Sequence, residues 1–117
     1  MTTITLLHNP RCSKSRQTLS LLEENGITPV IVEYLKAPLT EAELKQVFKK
    51  LNVNTVREMM RTKEQEFKDA GLMDDNVSDQ TLFEAMVKIP KLIERPIVIK
   101  DDKARLGRPP ESVLEIL

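Results

Sequence analysis

Cysteine occurs once in this chain, at Cys12, so no disulfide can form within it. If that thiol does redox chemistry, the second sulfur must come from another molecule. Tryptophan is absent and aromatics make up 3% of the residues, which argues against the stacking platforms that hold single-stranded nucleic acid. Neither sign of charge is in excess, since 18 Lys and Arg balance 18 Asp and Glu. Broad nucleic-acid binding normally leaves a basic surplus, so none is expected. No apolar run approaches the roughly 20 residues of a membrane span, and no membrane association is expected. Met1-Thr2-Thr3 carries no charge and leads straight into an apolar run, so no signal peptide is expected. One histidine and one cysteine cannot complete a closed metal site, so no metal is expected. A lone free thiol fits a reducing compartment, and a cytoplasmic location is expected.

What is present fits one domain over residues 1–117 with a modest core. The apolar run Ile4 to His8 predicts a strand. Helical periodicity from Ser13, with Leu19 and Leu22 on one face, ends at Asn25-Gly26. Val30 to Tyr34 is β-branched and short, a second strand. Residues 40–90 then read as helical. Thr40-Glu41-Ala42-Glu43 is a capping box, followed by Leu44, Val47, Phe48 and Leu51 at helical spacing. Asn54 is placed to cap a short helix with Val56, Met59 and Met60 on one face. A third helix runs from near Lys63 to Gly71, and a fourth from Ser78 to before Pro90. Pro96 to Ile99 and Ala104 to Gly107 form a hairpin around Lys100-Asp101-Asp102-Lys103. Pro110 starts a last helix with Val113, Leu114 and Leu117 on its apolar face. The expected fold class is α/β and thioredoxin-like: a small mixed sheet of about four strands, with a helical insertion between the βαβ and ββα parts.

Cys12 lies where a strand turns into a helix. Backbone N–H groups and the positive end of the helix favour the ionised sulfur there, and Arg11, Lys14 and Arg16 are expected to push the same way. An isolated cysteine is more often a small buried hydrophobe. This polar, cationic neighbourhood instead favours a reactive thiol. Cys12-x-x-Ser15 lacks the second thiol of a dithiol exchanger, and Thr18 stands where a Cys-x5-Arg phosphatase loop needs arginine. His8 has two open readings, a strand-end histidine with a backbone partner or a hydrogen bond or charge that helps ionise the thiol. Arg61, Arg95 and Arg108 flank apolar elements, Arg95 and Arg108 at loop positions. Each taken alone is by default a solvated charge. Converging on a helix-capped thiolate, they would hold a tetrahedral oxyanion beside a nucleophile. The topology brings Arg95 and Pro96 near Cys12, and a cis peptide is favoured at Pro96, although most X-Pro bonds are trans.

His8-Asn9-Pro10-Arg11-Cys12-Ser13-Lys14-Ser15-Arg16 is similar to the HNPxCxxSR signature of the glutaredoxin-coupled arsenate reductases, a family the chain resembles. Met59-Met60-Arg61, Leu92-Ile93-Glu94-Arg95-Pro96-Ile97-Val98 and Leu106-Gly107-Arg108-Pro109 are similar to the segments that carry its three oxyanion arginines. The motifs occur in family order and span essentially the whole chain. The resemblance implies that Cys12 is the nucleophile, that Arg61, Arg95 and Arg108 hold arsenate, and that His8, Asn9, Ser15, Arg16 and Pro96 support them. It implies glutathione as cosubstrate, glutaredoxin as partner and no bound cofactor. A monomer is expected. Arg11 and Ser13-Lys14 depart from the family pattern, in which small residues follow the cysteine.

Two other readings compete. One is a thioredoxin-like transcriptional regulator that binds RNA polymerase, a branch that typically carries a Cys-x-x-Cys switch where this chain has Ser15. The other is a general monothiol oxidoreductase acting by glutathionylation. The intact arginine set favours oxyanion chemistry over both.

Overall fold

A computed structural model describes residues 3–117. The strands are β1 (Ile4–Leu7), β2 (Val30–Val32), β3 (Ile97–Lys100) and β4 (Lys103–Leu106). The α-helices are α1 (Ser13–Glu24), α2 (Glu41–Leu51), α3 (Gln65–Asp69) and α4 (Asp79–Lys88). Three 3₁₀ segments, Val56–Met59, Pro90–Leu92 and Pro110–Ile116, complete the chain. The sheet order is β2-β1-β3-β4. β1 and β2 are parallel, joined by the α1 crossover, and the other two pairings are antiparallel. This is the expected mixed sheet with helices inserted between its two halves.

Strand alternation divides the core in two. Leu6 and Val98 point toward α1 and the C-terminal segment, joining Ile4, Leu22, Val113 and Ile116. Their neighbours Leu7 and Ile97 point the other way, into a larger cluster with Leu44, Met59, Met60, Leu82, Met86, Leu92 and Ile93 from the insertion.

Local signals explain most element starts. At α2 the backbone N–H of Thr40 donates to Glu43 Oε1 at 3.0 Å, and the N–H of Glu43 donates to Thr40 Oγ1 at 3.2 Å. Glu41 and Glu43 lie in its first turn and Lys49 and Lys50 in its last, each matched to the helix dipole. Ser78 caps α4 by accepting from Thr81 N–H.

Several boundaries differ from the expectation. β1 ends at Leu7, before His8, and β2 ends at Val32, which leaves Tyr34 in the turn that follows. Thr55, not Asn54, precedes the short helix, and its N–H donates to Glu58 Oε2 at 2.7 Å. That helix is one 3₁₀ turn, and Met60 has left it to form a bridge with Ile93. The third helix is confined to Gln65–Asp69, and β4 starts one residue earlier than expected, at Lys103. The last segment is 3₁₀. Its buried residues are Pro110, Val113 and Ile116, while Leu114 and Leu117 are exposed. A spacing of three repeats on one face of a three-residue turn, so burying this set selects 3₁₀ geometry over α.

Candidate active site

The sheet pairing gathers four chain segments at one end of the strands. Leu7 is opposite both Val32 and Ile97, and Ile97 is opposite Leu106. The residues just beyond these positions are His8, Tyr34, Arg95-Pro96 and Gly107-Arg108. His8 N–H donates to the Val32 carbonyl and Gly107 N–H to the Pro96 carbonyl, both at 2.9 Å. The Arg95-Pro96 peptide is cis, as the sequence favours, and so is Arg108-Pro109. Gly107 packs so closely that a Cβ there would lie 2.6 Å from both Pro96 Cγ and Thr18 Oγ1. Only glycine lets the chain pass this near α1.

Cys12 occupies the N-cap of α1. No side chain caps the helix and its first turn holds no acidic residue. The loop before it is pinned from inside the helix. Ser15, fully buried, accepts from Asn9 N–H at 3.1 Å and shares a 2.6 Å hydrogen bond with His8 Nδ1. Asn9 Oδ1 accepts from Arg11 N–H at 3.0 Å, and the Asn9 carbonyl accepts from Cys12 N–H at 3.0 Å. Arg16 Nη1 donates to the Pro10 carbonyl at 3.0 Å. His8, Asn9, Ser15 and Arg16 thus hold the loop that presents the sulfur.

The Cys12 thiol is partly buried, which by itself raises its pKa. The backbone N–H of Ser15, the Arg95 guanidinium and the N–H of Lys14 outweigh that effect and hold it below the ordinary thiol value. Two expectations change here. Arg11, Lys14 and Arg16 are exposed, and the charge contribution comes from Arg95, far away in sequence. Burial lowers the pKa of His8, with Glu33 opposing and Arg16 assisting, which favours the neutral ring. Its side-chain partner is the Ser15 hydroxyl rather than the backbone.

The arginines arrive by different routes. Arg108 follows β4. It donates from Nε to the Arg95 carbonyl at 2.9 Å and places Nη2 3.8 Å from Cys12 Sγ. Arg95 precedes β3. Burial works against its charge, but Cys12 and Tyr34 raise its pKa overall. Arg61 is carried by an antiparallel bridge: its N–H donates to the Leu92 carbonyl at 2.7 Å, and Glu94 N–H donates to the Met59 carbonyl at 2.8 Å. Arg95 and Arg108 therefore stand at the sulfur. Arg61 is tied to Arg108 through Glu94, whose Oε1 lies 3.6 Å from Arg61 Nη1 and 3.5 Å from Arg108 Nε.

Three site residues escape the sequence reading. Tyr34 is fully buried, its hydroxyl lacks a hydrogen-bond partner, and burial raises its pKa against the opposing pull of Arg95. Its one signal is that the sole tyrosine closes the β-branched run Val30 to Tyr34. Glu94 and Glu64 bind the arginines. Glu94 is next to Arg95 in sequence and Glu64 is three residues after Arg61, but spacing alone does not pair them.

Among the described residues, no group of three or more His, Cys, Asp or Glu is placed to hold a metal ion, and no helix is long and apolar enough to cross a membrane. What the site does offer is an activated sulfur, backbone donors and guanidinium groups around one point. That combination is chemically suited to holding a small oxyanion beside a nucleophile.

Comparison with known proteins points the same way. Residues 7–116 match the model of the ArsC family. An arsenate reductase from Haemophilus influenzae is 51% identical over 114 residues, covering 97% of this chain and 98% of that protein. The uncharacterized protein YfgD of Escherichia coli is 53% identical over 114 residues, covering 97% and 96%. The solved structure of an arsenate reductase from Vibrio cholerae superposes with a TM-score of 0.97 at 52% identity, covering 99% of this chain and 98% of that one.

Proposed function

The chain belongs to the ArsC family, and on that premise we propose that it is an arsenate reductase dependent on glutathione and glutaredoxin. The observation that carries the proposal is Cys12 at an uncapped helix N-terminus with Arg95 and Arg108 beside it. The names of the H. influenzae and V. cholerae relatives support the reaction class.

In this reading arsenate is held by the backbone N–H groups that start α1 and by Arg95 and Arg108, with Arg61 behind them. The Cys12 thiolate attacks arsenic. An S–As bond forms, and one arsenate oxygen leaves as hydroxide or, with a proton, as water. Guanidinium groups stabilise the charge on the remaining oxygens. Glutathione thiolate then attacks the Cys12 sulfur of the adduct. The S–As bonding pair stays on arsenic, which falls from the pentavalent to the trivalent state and departs as arsenite. A Cys12–glutathione disulfide is left. Glutaredoxin thiolate attacks the glutathione sulfur and frees Cys12. A chain with one cysteine needs these external thiols to close the cycle. No metal or bound organic cofactor takes part.

The test is arsenite formation from arsenate with glutathione and a competent glutaredoxin. Activity is expected in the native protein and background in Cys12→Ser. Omitting glutaredoxin is expected to leave the mixed disulfide on Cys12, visible as a mass increase of one glutathionyl group. Background turnover by the native protein with all components present overturns the proposal.

A further inference from the structure

The arginines around Cys12 are not equally available. Arg61 turns Nε and Nη2 onto one Glu64 oxygen, each at 2.8 Å. Its third nitrogen faces Glu94 Oε1, and the same oxygen faces Arg108 Nε. Both carboxylates and both arginines line one cavity of about 300 Å³. On the sulfur side the donors are open. Arg95 Nε and the Tyr34 hydroxyl are buried without hydrogen-bond partners, and Arg108 Nη2 faces only Cys12. The donors thus fall into a set held by carboxylates, with Arg108 Nε shared between Glu94 and the Arg95 carbonyl, and a set open toward the thiolate.

We propose that Glu94 is an internal stand-in for the substrate oxyanion: it occupies Arg61 and Arg108 in the resting site, and an incoming oxyanion recruits Arg61 only by displacing it. The proposal rests on the oxyanion reading of the site. A carboxylate and a tetrahedral oxyanion compete for the same guanidinium forks, and they repel one another across a short gap. The Glu94 side chain is partly exposed, so it has a route into solvent. Its negative charge opposes an incoming anion, which makes Glu94 a brake on affinity.

The experiment is protection of Cys12 from iodoacetamide by arsenate and by sulfate, in the native protein and in Glu94→Gln. Glutamine keeps the length and removes the charge. The half-protecting concentration is expected to fall about three- to tenfold for both anions, as expected for removing a partly exposed charge shared by two arginines. In turnover, KM for arsenate is expected to fall by more than kcat changes, a split that a strut supporting the fold would not produce. Unchanged or weaker protection in Glu94→Gln overturns the proposal and makes Glu94 a positioning strut. If that variant does not fold, Glu94→Asp carries the same test, because it draws the carboxylate back from both arginines by one methylene, and tighter protection is again expected. Protection without arsenite formation overturns the reductase reading alone. No protection by either anion in any of the proteins overturns both.

Discussion

The two longest helices meet the positive charge of their N-termini in opposite ways. α2 closes its own end: Thr40 and Glu43 exchange hydrogen bonds, and Glu41 adds a second carboxylate. α1 leaves its end open, with the Cys12 sulfur at the cap, no oxygen side chain capping the N–H groups and no acid in the first turn. A helix N-terminus that carries its own anion is a stability element. One that lacks it keeps its donors for whatever anion arrives, here the sulfur and then a ligand. A Ser, Thr, Asp or Asn cap is worth about 1 kcal/mol to a helix, and α1 has a sulfur in that place. Its hold on the body comes instead from Leu22 in the smaller core cluster and from Ser15 inside the loop.

The contrast can be broken in four places. The largest effect is expected from Cys12→Ser, which should reduce arsenite formation to background. A variant that retains turnover ends the assignment of the open helix end to catalysis. Next comes Gly107→Ala. Its Cβ overlaps Pro96 and Thr18, and overpacking of this kind costs about 1–3 kcal/mol. Urea denaturation should show that loss, and iodoacetamide should react more slowly with Cys12 as Arg108 is pushed away. Thr40→Ala should cost about 1 kcal/mol by loss of the α2 cap while leaving the rate–pH profile of Cys12 alkylation where it was. A shift of that profile would mean that the two ends are not independent. The smallest change in stability is expected from Ser13→Glu, which gives α1 the acid it lacks and should stabilise the protein by about 0.3–1 kcal/mol.

Reactivity should move the other way in that last variant. The native thiol has a lowered pKa, so its alkylation rate should rise with pH and level off below the range of a free thiol. A carboxylate beside the sulfur disfavours the thiolate, and the midpoint should rise. Linkage adds a check on stability. With the folded pKa depressed, the thiolate's contribution is fully present above the unfolded thiol's pKa and is lost as pH falls through the lowered folded value. The stability gap between the native protein and Cys12→Ser should therefore widen with pH across that window.

Much of the open helix end was legible because its causes are local. The strand-to-helix turn around Cys12, the stop at Asn25-Gly26 and the capping box of α2 are all contiguous in sequence. The placement of Arg95 beside Cys12 followed from topology alone. The misses have non-local or competing causes. The charge felt by Cys12 comes from Arg95, not from its cationic neighbours, because short-range cations extend into water while Arg95 is partly buried. Glu94 bridges Arg61 and Arg108 only once the bridge between Met60 and Ile93 has formed. Tyr34 read as strand because its β-branched neighbours do, yet pairing stops at Val32 and the ring turns into the larger core. In the C-terminal segment, apolar residues at 113, 114 and 117 imitated an α-helical stripe, while burial followed 110, 113 and 116.

The division of the core into two clusters has a mechanical consequence. The sulfur belongs to a helix seated on one side of the sheet, through Leu22. Arg61 and Arg95 extend from segments seated on the other, through Met59, Met60, Leu92, Ile93 and Ile97. The sheet is a plate between the two layers, and the gap between nucleophile and cations is set by how each layer packs against it. In the proposed function, an oxyanion held between them would act as a rivet across that plate. Saturating arsenate or sulfate should therefore raise the melting temperature of the whole molecule, by the equivalent of about 2.7 kcal/mol at a hundredfold excess over Kd.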